Sequence, residues 1–584
     1  MNTLKNMLKI IKNDGLKVFI KKIYFHFNNQ EKKDYYKWIK NNTPSRIEIK
    51  KQRKYSFTYM PKISIVIPLY NTPKKYLLEL IKYVKNQTYS NWELCLADGS
   101  TEPLNYLNNI ISKDERIKYK ILEKNKGISG NTNEALKLAT GNYIALLDHD
   151  DLIPINSLYE IVRSINKTPE ADFIFTDEDK FTNMKRKTRY EPNFKPDYSF
   201  DTFTSYNYIC HFSIFKRELM NKLVGFKEEF NGSQDYDLIL RAVENAKKIV
   251  HIPQILYHWR VHQNSTAGNA ESKPYCFDAG KRAVQEHLKR KGLKNAIVEY
   301  GVAIVRNRVV YNIQREDNVK IILYIRDNRI NLKKLYEDIN QITYKNYSIV
   351  LFVTEEISVK EDYKKIIHQE KIVKCAIVKE KNLSKEINHE LKKCNENYII
   401  IAKDIQDIKT KNFIEQLLGF SQRNDTGVIS PRIIHKYTSS QYNGTVYGID
   451  NDKIGYLDYI DVAGSFGYVT RGAVVQNYSI IKSECIMISR KNLETVNYLD
   501  ENMDYSDAIA DISFDLFKKQ NKLNVINPHI ELETLEITNK YGENNFFKKW
   551  KEELKIPDPN YNINLRFDKN NLFKVKQEKI KDIL

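Results

Sequence analysis

Apolar and polar positions in the first half of the chain switch between two periods. Short apolar runs stand at Ile63–Pro68, Trp92–Ala97, Lys118–Leu122, Tyr143–Leu147, Phe173–Thr176 and Cys210–Phe215. Runs of this length, rich in β-branched residues and closed by Gly, Pro or Asp, predict buried strands. Between them, Leu77–Val84 (after Thr72-Pro73) and Thr132–Ala139 (between Gly127 and Gly141) carry helical spacing. Strand and helix in repeated alternation predict an α/β fold with a mostly parallel sheet and right-handed crossovers. Gly232-Ser-Gln-Asp-Tyr-Asp-Leu238 opens an amphipathic helix, and Ile249–Pro253 leads into Tyr257-His-Trp-Arg-Val-His262. The polar and aromatic stretch Arg189–Asn207 reads as a loop over the strand ends.

The N-terminus has a different pattern. Leu4, Met7, Leu8, Ile11 and then Leu16, Phe19, Ile20, Ile23 follow helical spacing, with lysines at many of the positions between. Residues 1–60 hold 15 Lys and Arg against 4 Asp and Glu. Such an arm either packs on the main domain or lies on an anionic membrane surface. Residues 34–39 predict a short helix, and 45–60 a polar linker.

Composition narrows the class. With 584 residues the chain exceeds one core, and 41% hydrophobic with 29% charged residues is globular. A net charge of +20 raises a nucleic-acid reading, but no nucleic-acid motif accompanies it. No apolar run approaches the ~20 residues of a membrane span, and lysines interrupt the N-terminal apolar positions. Six scattered cysteines without a CxxC pair fit a reducing compartment. The expectation is a cytoplasmic protein, with the arm as its contact to the inner face of the membrane.

Candidate chemistry lies at the strand ends. The run Tyr143–Leu147 stops at Asp148, Asp150 and Asp151, and Trp92–Ala97 stops at Asp98-Gly99-Ser100. Open α/β sheets bind ligands at this edge. Asp148 and Asp150 are two apart and share a face if the strand continues through them. Two adjacent carboxylates repel unless a cation separates them or one is protonated, and hard oxygen ligands suit Mg²⁺ or Mn²⁺. The alternative is an acidic turn before a helix. An Asx turn at Asp98 and a helix cap at Asp235 are the corresponding bland readings.

In order and spacing, Ile65-Val-Ile-Pro-Leu-Tyr-Asn71, Asp98-Gly-Ser100, Asp148-His-Asp150, Gln234-Asp235 and Tyr257-His-Trp-Arg-x-His262 together resemble glycosyltransferase family 2, with the GT-A fold. Thr176–Lys180, Asn207-Tyr-Ile-Cys-His211 and Gly232–Asp237 resemble the bacterial rhamnan and O-antigen type. The resemblance implies an inverting, metal-dependent transfer of a rhamnose or N-acetylhexosamine type sugar. The donor is a nucleotide diphosphate sugar, and the acceptor a growing surface glycan, free or lipid-linked. It implies Asp235 as base, and Asp150, His262 and Asp148 around Mn²⁺ or Mg²⁺. It further implies Pro68, Tyr70, Asp98, Asn133, Asp148 and Asp150 on the donor, and Gln234 and Asp237 on the acceptor side. Ala97 departs from the pattern, since many members carry a first Asp there, and leaves the nucleotide open. Glycosylation of a surface or flagellar protein is the alternative activity, and a non-catalytic glycan-binding scaffold the alternative class.

The chain then repeats itself. Thr88-Tyr-x-Asn91 recurs as Thr343-Tyr-x-Asn346, Ser129 as Ser384, Asn133 as Asn388 and Asn142-Tyr143 as Asn397-Tyr398, all at a shift of 255. On that shift Asp98 becomes Val353, Asp148 becomes Lys403 and Asp150 becomes Ile405, so the repeat keeps apolar positions and loses the acids. Asp511 loosely matches Asp235. The expected organisation is an arm and linker (1–60), a catalytic domain (61–317), a non-catalytic GT-A-like repeat (318–535) and an ordered extension (536–584), with a frayed basic terminus after Lys574. Lys403 should lie exposed, or pair with an acid or phosphate.

Overall fold

In the first half the apolar runs become one eight-stranded sheet, seen in a computed structural model. The structure describes residues 30–182, 188–262, 274–303, 305–436, 440–449, 453–460, 467–481, 483–535, 545–566 and 573–579. The arm proper, 1–29, lies outside them. The strands are β1 (Ile63–Leu69), β2 (Trp92–Asp98), β3 (Ile117–Ile121), β4 (Tyr143–Leu146), β5 (Phe173–Phe181), β6 (Arg189–Asn193), β7 (Ser213–Lys216) and β8 (Ile249–Arg260). Their order is β3-β2-β1-β4-β7-β5-β6, with β8 paired to β5. The four strands β1 to β4 run parallel, and β1, β2 and β4 are buried along nearly their whole length. Strands covered on both faces must be apolar throughout, which is why they read as unbroken runs.

Strand β7 is antiparallel to β4, with Ser213 opposite Leu146. The start of β7 and the end of β4 therefore share one edge. That edge also holds the end of β1 and the first turn of the helix Gln234–Asn245.

Several expectations need correction. Residues 45–60 are not all linker: Arg46–Lys54 is a helix with a capping box, Glu48 N donating to Ser45 Oγ and Ser45 N to the Glu48 carboxylate. Strand β5 does not stop at Thr176 but runs through Asp177-Glu-Asp-Lys180. Asp177 accepts from the Lys195 amide and pairs with His251, Glu178 takes the Lys195 ammonium, and Asp179 takes Arg189, His258 and the Tyr35 hydroxyl. Arg189–Asn207 is not a loop over the edge; it forms β6 and the buried helix Phe200–Ser205. Of the stretch expected to fray after Lys574, the described residues 575–579 are held, Gln577 donating to Asp34 and Lys579 pairing with Glu48 at 2.7 Å, and 580–584 lie outside the described residues.

The second half builds the same sheet again. From one edge its strands run Ile372–Ile377, Tyr347–Val353, Val319–Ile325, Tyr398–Lys403, Cys485–Ser489 and Thr426–His435. The parallel and antiparallel pairings repeat those of β3, β2, β1, β4, β7 and β5, and Leu523–Thr534 pairs with Thr426–His435 as β8 pairs with β5. This second α/β domain is similar to the first.

The two sheets share one apolar core. At their junction the Arg423 guanidinium is buried on the Asp201 carboxylate, and the Tyr468 hydroxyl donates to Pro192 O at 2.6 Å. The C-terminal extension crosses back. Asp558 accepts from Ser479 Oγ of the second domain at 2.7 Å, and Asn562 donates to Asp177 of the first at 2.9 Å.

Candidate active site

The turn after β4 separates three acids by duty. Asp151 is fully buried; its carboxylate accepts from the Tyr257 hydroxyl at 2.5 Å and from Arg260 N at 2.7 Å. The Arg260 side chain donates to Asp150 O at 2.5 Å and to Glu79 at 3.0 Å. Asp151 thus locks the turn onto the end of β8, and the chain leaving β8 brings His262 Nε2 to 2.8 Å from Asp150 Oδ2. Asp148 keeps 39% of its side chain open to solvent. Partial desolvation in the cleft, then the charge of Asp150, pushes its carboxyl up. Burial, Asp150 and Asp148 push Asp151 up as well. The Asp150 carboxylate and the His262 imidazole, 2.8 Å apart, are a donor pair that a hard divalent cation fits, and its charge would relieve the repulsion that raises the neighbouring acids.

Asp235 stands in the first turn of the helix Gln234–Asn245. The turn before it needs Gly232, at φ +95, where a Cβ would come within 2.7 Å of both Cys276 Sγ and the Tyr275 ring. Gly232 N donates to Gln234 Oε1 at 2.8 Å, and the Gln234 amide donates to Asp235 at 3.2 Å. Burial and the Asp148 charge, opposed by His211, push Asp235 up to about 6. Asp148, Gln234, Asp235 and His211 line one cleft, together with the apolar Val66, Pro68 and Leu146.

Not every predicted contact reaches this cleft. Asp237 does not face an acceptor: it is fully buried and paired with Arg241, which also donates to the carbonyls of Leu223 and Gly225. Asn133 does not face a donor either, because its amide exchanges two 2.9 Å bonds with the Phe226 backbone. Asp98 is 1% exposed and takes Ser100 N, Leu104 N and the Tyr119 hydroxyl, so it builds the loop after β2. Tyr70 is half-exposed at the sheet edge.

Two residues carry more than their sequence suggested. His211, from the Asn207–His211 phrase, precedes β7, stacks on Tyr257 at 4.8 Å and lies 3.7 Å from Asp148. Lys195 is fully buried; its ammonium donates to Glu178 at 2.9 Å and to the carbonyls of Ile209 and His211 at 3.1 and 2.5 Å. It fixes the backbone that carries Cys210 and His211. Its partners lie 14 to 17 residues away, and nothing in the sequence marks them.

At the matching edge of the second sheet Lys403 is buried, with its ammonium 2.8 Å from Glu380, which also takes Arg326. Asp511 accepts from Lys549 and from the Trp550 indole, both at 2.7 Å, and so anchors the extension instead of facing a groove.

Residues 64–224, which supply β1 to β7 and the acids of the turn, match the sequence model of the family described as glycosyl transferase family 2. The chain carries a family 2 glycosyltransferase domain. An uncharacterized protein of Sinorhizobium fredii is 31% identical over 535 residues, 87% of this chain and 58% of its own length. An O-antigen biosynthesis protein of Myxococcus xanthus is 25% identical over 477 residues, 80% of this chain and 37% of the relative. The chain thus spans less than two thirds of either. Among solved structures, a mannosyltransferase from Pyrobaculum calidifontis in complex with GDP-Man and Mn²⁺ is 18% identical, over 47% of this chain and 75% of that one, with a TM-score of 0.31.

Proposed function

We propose that the chain is an inverting glycosyltransferase that moves a sugar from a nucleotide diphosphate donor to a growing surface glycan, with the first domain catalytic and the second not. The observation that carries this reading is one cleft lined by both Asp235 and Asp148, with Asp150, two residues after Asp148, paired with His262. Inversion needs one base and one departing group at the same anomeric carbon, and Asp235 shares its cleft with Asp148. Asp235, raised to about 6, is mostly ionised at pH 7 yet basic enough to take the proton of an acceptor hydroxyl. The Gln234 amide holds its carboxylate in place, and Val66, Pro68 and Leu146 give the cleft an apolar side. Mn²⁺ or Mg²⁺ held by Asp148, Asp150 and His262 would supply positive charge against the departing diphosphate.

The O-antigen relative favours a surface polysaccharide as the product. Peripheral membrane contact follows from charge: the helix Arg46–Lys54 is basic, exposes Ile47 and buries none of its residues, and it follows the basic arm in sequence. No described helix is long and apolar enough to cross a membrane. The test is a screen of purified chain against UDP-, dTDP- and GDP-sugars with Mn²⁺, scoring sugar release and transfer. Turnover of one donor supports the proposal; no turnover with any donor and acceptor glycan would sink it.

A further inference from the structure

Beside Asp148 the cleft holds a second set of metal-ligating side chains with different chemistry. The Cys210 thiol, the His211 imidazole and the Asp235 carboxylate place one ligand atom each within 4.8 Å of one another. Cys210 Sγ stands 3.2 Å from His211 Nε2. We propose that these three residues form a zinc site, with a ligand set distinct from that of the Mn²⁺ or Mg²⁺ site, whose occupation blocks the base.

The donor atoms decide which metal. Sulfur and imidazole nitrogen favour Zn²⁺, whereas two carboxylates and one imidazole around the turn after β4 suit harder cations. Three protein ligands leave one tetrahedral position open toward the cleft, as zinc tolerates.

The ligands are also held in place before any metal arrives. The fully buried Lys195 ammonium clamps the carbonyls of Ile209 and His211. Cys210 N donates to Asn207 Oδ1 at 3.2 Å, the Tyr257 ring stacks flat on the His211 imidazole, and the Gln234 amide orients Asp235. Such supports fix ligand rotamers and strengthen metal binding. Binding forms a sulfur–zinc bond and expels the thiol proton to solvent; no electron changes hands. Asp235 then coordinates metal and no longer takes the acceptor proton.

Because the blocking effect rests on Asp235 as the base proposed above, the site is tested by binding without turnover. Full-length chain is dialysed against Zn²⁺ in excess Mg²⁺, and bound zinc is measured by calorimetry and by metal analysis. The expected result is one zinc per chain that Mg²⁺ does not displace. Cys210→Ser and His211→Gln should each weaken it by at least about tenfold, while Asp150→Asn leaves it unchanged. Zinc binding that survives in both Cys210→Ser and His211→Gln, or that is lost in Asp150→Asn, would overturn the site. If the site binds zinc but sugar transfer persists at full rate with zinc bound, the site stands and Asp235 is not the base.

Discussion

Asp150 and Asp151 are neighbours with opposite work, and their substitutions should separate. Asp151 satisfies a buried hydroxyl and a buried amide. Asp151→Ala strands both, at about 1–3 kcal/mol for each buried group left unpaired, and chemical denaturation should show that loss. Asp150→Ala removes a partly open carboxylate from His262 and should leave the unfolding midpoint nearly unchanged while abolishing metal-dependent donor binding in a calorimetric titration. Asp235→Asn keeps the size and a polar partner for Gln234 but not the basicity. It should retain donor binding and lose transfer by ~10²-fold or more. Because only the ionised carboxylate accepts a proton, the wild-type rate should rise with pH through about 6 and then level off. A rate flat from pH 5 to 8 would show that Asp235 is only a helix-terminal acid.

At the scale of elements, the central strands are legible because a parallel strand buried on both faces is an apolar run, as at Ile63–Leu69 and Trp92–Asp98. The acids at the end of β4 are legible as a site because a buried run that stops at clustered carboxylates sets them, close together, on the ligand-binding edge. The continuation of β5 through Asp177, Glu178 and Asp179 is not legible, since their partners His251, Lys195 and His258 come from other elements. The helix Arg46–Lys54 announces itself in Ser45-x-x-Glu48, although its local polarity reads as linker. Asp237 and Asn133 sit in the right motifs but turn away from the cleft, and no sequence period shows a side chain's direction within a motif.

The contact of the extension with the first domain has its own pH signature. His251 lies between Asp177 and Asp197; burial opposes its charge, but Asp177 and then Asp197 carry it up to about 9. A histidine raised in the folded state contributes stability that is full below its ordinary 6.5 and is lost as pH rises through about 9. Thermal stability should therefore fall between those values, and the fall should shrink in His251→Gln.

At the scale of the whole molecule, an eight-stranded and an eleven-stranded sheet share one core strand order, and the proposed chemistry uses one cleft. The second edge carries Val353, Lys403 and Ile405 where the first carries acids, and Lys403 is spent on Glu380. The domains are joined through Arg423–Asp201 and by the extension, whose Asp558 and Asn562 grip one domain each. On the proposed reading the second domain supports the first, and its edge contributes nothing to turnover. The most direct test compares sugar release from the preferred nucleotide sugar, in Mn²⁺, by the full chain and by two single variants. Asp150→Ala should lose all release above background, and Lys403→Ala should keep the wild-type turnover number. Release that survives Asp150→Ala, or that falls with Lys403→Ala, would contradict a single cleft in the first domain.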